Sequence, residues 1–113
     1  MFITQANFRD YSKIDVVGHS LSLNKIIEFQ THLKKHITEG RHKLVIDLTE
    51  LSYVDSSFMN AILQGYQLLP PGGKICLVVN NHEIQRVIEL IGLPKIISVY
   101  PSLEMLLKSE NFK

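Results

Sequence analysis

The chain of 113 residues has room for one domain, residues 1–113, and its 45% hydrophobic and 20% charged content excludes a disordered or low-complexity polypeptide. Twelve Lys+Arg against eleven Asp+Glu give a formal charge of +1, with no basic run longer than Lys34-Lys35, so the clustered positive stripe of a nucleic-acid binder is missing. One cysteine, Cys76, cannot form an internal disulfide and lies in an apolar run. No apolar stretch approaches transmembrane length, so a reducing, cytoplasmic setting without membrane insertion is expected.

Phe2 to Phe8 and Lys13 to Val17 have strand-like composition and flank the polar stretch Arg9-Asp10-Tyr11-Ser12, which suits a hairpin. From Leu23 the apolar positions fall at Leu23, Ile26, Ile27, Leu33 and Ile37, an amphipathic helix stopped by Gly40. Leu44-Val45-Ile46-Asp47-Leu48 and Ile75 to Val79 are short, continuous apolar runs of the kind found in strands covered on both faces. Between them Ser57 to Leu69 carries Met59, Ile62, Leu63 and Tyr66 at helical spacing, ended by Pro70-Pro71-Gly72-Gly73. Asn80 with Glu83 predicts a capping box opening a third helix, whose core face is Ile84, Val87, Ile88 and Ile91 and whose C-terminal cap is Gly92. Beyond Pro94, Ile96-Ile97-Ser98-Val99 reads as a strand and Ser102 to Lys108 as a short helix. The order β-β-α-β-α-β-α-β-α predicts an α/β domain: a small mixed sheet of about five strands with about four helices packed on it, the later strands parallel.

Three chemical sites fail on their own requirements. His32 and His36 have the i, i+4 spacing of a zinc-binding pair, but neither the metalloprotease Glu nor a nearby Cys accompanies them. Their Lys-rich surroundings assign them to a solvated face. His19, His42 and His82 are isolated. Asp47 near a strand end could accept a phosphoryl group only with Mg²⁺ held by clustered acids, and Asp15, the one candidate partner, sits inside its strand. Gly72-Gly73 follows no phosphate-loop pattern. With no nucleophile, base and oxyanion hole assembled, and with no cofactor or metal site, the expectation is a non-enzymatic binding module.

The informative segment is Asp47-Leu48-Thr49-Glu50-Leu51-Ser52-Tyr53-Val54-Asp55-Ser56-Ser57, where a strand ends and a helix begins. Asp and Ser there cap orphan backbone N–H groups, which is role enough for them. The same position also lets a serine hydroxyl carry a phosphate beside the positive end of a helix dipole without unfolding anything.

That segment from Val45 on, with Gly72-Gly73-Lys74-Ile75-Cys76-Leu77-Val78 and Ile88-Glu89-Leu90-Ile91-Gly92-Leu93, resembles the STAS domain of bacterial anti-sigma factor antagonists over nearly the whole chain. The resemblance implies a phosphorylation-controlled partner switch. The unphosphorylated antagonist sequesters an anti-sigma factor that is also a serine kinase, phosphorylation releases it, and a phosphatase restores it. The implied acceptor is Ser56, directly after the aspartate, with Ser57 as the neighbouring alternative. The implied contact surface is Tyr53, Val54, Asp55, Ser56, Ser57, Phe58 and Asn60.

The chain departs from the family pattern twice. Phe58 stands where glycine is usual. At about 100° per residue it falls on the border of the apolar face, either partly exposed as a docking anchor or tucked under the first strand. Gly18-His19-Ser20-Leu21 stands where Gly-Glu-Leu-Asp is common. Both departures point to an alternative, a non-switching STAS scaffold subunit of a lipid-transport or stress-signalling complex.

Overall fold

A hairpin starts the sheet and three helical crossovers complete it. The computed structural model describes residues 3–8, 11–18 and 22–109, with side chains from Tyr11 onward. The strands are β1 (Ile3–Phe8), β2 (Tyr11–Val16), β3 (Lys43–Asp47), β4 (Lys74–Val78) and β5 (Ser98–Tyr100). The helices are α1 (Leu23–Thr38), α2 (Ser56–Gln67), α3 (His82–Ile91) and α4 (Leu103–Ser109), with a 3₁₀ turn at Leu93–Lys95. The sheet order is β1-β2-β3-β4-β5. β1 pairs antiparallel with β2, and β2 through β5 are parallel. The predicted mixed sheet is therefore present, and each parallel step is bridged by one helix, the crossover that parallel neighbours require. Phe2, Arg9-Asp10 and His19-Ser20-Leu21 lie outside the described residues.

Strand alternation divides the core between the two sheet faces. Ile14, Val16, Leu44, Ile46, Ile75 and Leu77 point to one face and pack with Phe29, Leu33, Met59, Ile62, Ile84 and Ile88 of α1, α2 and α3. Val45, Cys76 and Val78 point the other way and meet Leu106 of α4. Covered on both sides, β3 and β4 need no polar alternation, which is why their sequences read as unbroken apolar runs.

Tyr11 and Ser12, expected in the hairpin connection, are strand residues paired with Phe8 and Asn7, and β2 starts at Tyr11. Three further boundaries shift from the sequence prediction for local reasons. The cap of α3 is Asn81, not Asn80: its side-chain oxygen accepts from the N–H groups of Glu83 at 2.8 Å and Ile84 at 3.3 Å. The Val79 N–H still bonds the Tyr100 carbonyl at 2.9 Å, keeping the chain extended one residue longer. β5 begins at Ser98 because the N–H groups of Ile96 and Ile97 both bond the Leu93 carbonyl at 2.9 Å and so close a turn around Pro94. α2 begins at Ser56, one residue early, because Asp55 is its N-cap. Gly92 closes α3 as predicted, in the left-handed region at φ 81°.

Candidate functional site at the first turn of α2

The connection from β3 to α2 is pinned on both flanks. The Gly18 N–H bonds the Glu50 carbonyl and the Ser52 N–H bonds the Gly18 carbonyl, each at 3.2 Å, while the Asn81 side-chain amide donates to the Ser52 carbonyl at 3.2 Å. Leu51 and Val54 are buried, so the loop is anchored by apolar side chains as well as by backbone bonds.

Asp55 then takes an extended conformation, and its carboxylate accepts the Phe58 N–H at 3.1 Å. That bond satisfies one of the helix's orphan donors, a contribution of about 0.5–2 kcal/mol. Ser56 and Ser57 occupy the first turn with exposed side chains, and neither hydroxyl has a hydrogen-bond partner among the described residues. Asn60 is exposed one turn on, and Tyr53 is 50% exposed just before the cap. Tyr53, Asp55, Ser56, Ser57 and Asn60 are thus each exposed, in the loop that follows β3 and on the first turns of α2.

Two residues of the expected contact surface are not exposed. Phe58 is 1% exposed, its ring 4.9 Å from that of Phe29 on α1. The rings are tilted by 49°, and an aromatic pair at this separation adds about 0.5–1.5 kcal/mol beyond area burial, closing the seam between the two helices. It is a core residue and not an exposed anchor. Val54 is 3% exposed and likewise packs in the core.

The rejected phosphoaspartate site has a geometry that sequence reading missed. Asp15 and Asp47 are register partners on neighbouring parallel strands, and Lys13 lies between them. Its Nζ is 2.9 Å from Asp15 Oδ1 and 3.5 Å from Asp47 Oδ2, while the backbone N–H and hydroxyl of Thr49 donate to Asp47 Oδ1 at 2.9 and 2.7 Å. Burial alone would lower the Lys13 pKa, but the bonds and charges of Asp15 and Asp47 outweigh it and raise it above 10.5. Both carboxylates are thereby committed to one ammonium, an ion-pair cluster on the α4 side of the sheet. The period-2 spacing of Lys13 and Asp15 was the available signal; the register was not.

The His32–His36 pair also corrects the sequence reading. His36 is 3% exposed, so it does not belong to a solvated face. It falls on the stripe of Ile26, Phe29, Leu33 and Ile37, seven residues after Phe29 and three after Leu33. Periodicity contained this signal, but the flanking lysines hid it. Among the described residues, no three His, Cys, Asp or Glu side chains converge as a metal site.

Residues 13–106 match the family model for the STAS domain, and the chain belongs to that family. No curated protein matches it in sequence. Among solved structures, it is similar to an anti-sigma factor antagonist from Mycobacterium paratuberculosis, with TM-score 0.88 and 20% identity, covering 97% of this chain and 93% of that one. The anti-sigma factor antagonist SpoIIAA in its unphosphorylated form gives TM-score 0.80 at 17% identity over 98% of both chains. The Bacillus cell fate determinant SpoIIAA in its phosphorylated form gives 0.71 at 17% identity, over 95% of this chain and 98% of that one. At these identities the structural likeness establishes the fold. No helix among the described residues is long and apolar enough to cross a membrane.

Proposed function

We propose that this STAS protein is an anti-sigma factor antagonist that works by phosphorylation-controlled binding, with Ser56 as the phosphate acceptor and an anti-sigma factor with serine kinase activity as its partner. A phosphatase would reset it. The observation that carries the reading is the exposed Ser56 hydroxyl on the first turn of α2, free of hydrogen bonds to described residues, on a helix anchored in the core by the buried Phe58 and Met59 that follow. The relatives in fold include an antagonist solved in both unphosphorylated and phosphorylated forms, which supports the same assignment.

The physical chemistry is that of charge added at a docking surface. A phosphate beside the N–H groups and positive dipole of α2 is accommodated locally, so the fold is kept. It brings about −1.5 to −2 charges to a chain whose formal total is +1, next to the carboxylate of Asp55. A partner seated over this turn meets an unpaired buried charge and dissociates. The protein itself performs no catalysis in this scheme; the kinase supplies the phosphoryl group and the phosphatase removes it.

The test is Ser56→Ala. The variant is expected to fold, to keep partner binding and to lose phosphorylation by the cognate kinase. Phosphate mapped by mass spectrometry to any other residue of the wild-type chain would remove Ser56 from this role.

A further inference from the structure

The second half of α1 holds a feature that partner switching does not use. The imidazoles of His32 and His36 lie with ring centroids 4.7 Å apart, tilted by 43°. His36 Nδ1 is 2.9 Å from the His32 carbonyl oxygen, so that nitrogen is the N–H donor and its Nε2 carries the lone pair in the neutral ring. Both Nε2 atoms are buried, and neither has a hydrogen-bond partner among the described residues.

The imidazolium form of either ring carries an N–H on its buried Nε2 with no acceptor among those residues, and two such rings would place two cations ring against ring. Among the described residues the neighbours offer little compensation. On α1 the charged groups near the pair are Lys35, Glu28 and Glu39, and Arg41 and His42 follow in the next turn. α2 contributes only Tyr66 as a titratable group, and the β1 segment contains none. On β2, Lys13 and Asp15 engage each other and Asp47 on the opposite face of the sheet.

We infer that the stacked His32–His36 pair is an acid-sensitive latch: it holds the C-terminal half of α1 in the core while His32 is neutral, and loosens that half when the His32 ring takes up a proton. Burial, followed by the repulsion of His36 and Lys35, holds the His32 pKa below 6.5. The latched segment includes Leu33, whose side chain fills the space left by the absent Cβ of Gly65 on α2.

The test is amide hydrogen exchange on the intact chain at pH 7.5 and 5.5, corrected for intrinsic rates, alongside NMR titration of the histidine rings. Protection in residues 33–38 is expected to fall at the lower pH by up to about tenfold through His32, the limit set by the one unit between pH 5.5 and its ordinary value of 6.5. Protection in α3 is expected to fall less, and the His32 ring to protonate below pH 6.5. The double variant His32→Gln with His36→Phe is expected to lose this differential. Equal loss of protection in α1 and α3, a His32 ring that protonates at or above pH 6.5, or a folded double variant with the same differential overturns the latch. Should the double variant not fold, the wild-type exchange and titration decide.

Discussion

The first turn of α2 and the last two turns of α1 place polar side chains in opposite circumstances. At Asp55-Ser56-Ser57 the side chains are exposed and the cap bond is already made, so added charge meets water and free helix N–H groups. At His32–His36 both Nε2 atoms are buried with no hydrogen-bond partner among the described residues, so added charge there meets no compensating acceptor. The lesson is that two regions of one small domain accept charge very differently. In the proposed scheme a phosphate on α2 leaves the fold intact and acts on the partner, whereas a proton on α1 acts on the fold itself.

Phe58→Ala tests this contrast most severely. Removing the ring that packs on Phe29 is expected to lower stability by about 3–5 kcal/mol, read as a reduced urea midpoint, because an anchor of α2 in the core is lost. An unchanged midpoint would mean that the first turn does not depend on this seam. Phosphorylation of Ser56 is expected to leave the melting temperature nearly unchanged while weakening partner binding by about 2–5 kcal/mol, roughly 30- to several-thousand-fold by calorimetry. Asp55→Ala removes the cap and is expected to cost about 0.5–2 kcal/mol of stability, with amide exchange at Phe58 rising first.

Acid sharpens the other side of the comparison. Because burial holds the folded His32 pKa below 6.5, the unfolded chain takes up the proton first as pH falls. The stabilising effect of the neutral ring is complete above 6.5 and is lost as pH drops through that value toward the folded pKa. The urea midpoint should therefore fall between pH 7.5 and 5.5, and fall less in His32→Gln; equal slopes would deny His32 this role.

Much of the architecture was legible before any coordinates. Continuous apolar runs at Leu44–Leu48 and Ile75–Val79 identified two-sided strands, and helical spacing after Leu23, Met59 and Ile84 identified the crossovers. Both patterns follow from local periodicity against a single core. The Asp-Ser-Ser element was legible too, since a cap and a first turn are properties of a few adjacent residues. Asn80 was mistaken for Asn81 because both can cap, and a single strand bond from Val79 to Tyr100 chose between them.

By itself, then, the sequence determined the element order, the parallel character of the later strands and the position of two serines at a helix start. All three depend on contacts between near neighbours or on connection length. Only the tertiary structure decided that Phe58 turns toward Phe29, that Asp15 stands opposite Asp47 across a lysine, and that His36 lies inside the core. Those outcomes depend on which helix faces which and on strand register, and residues tens of positions apart carry no local signal of either.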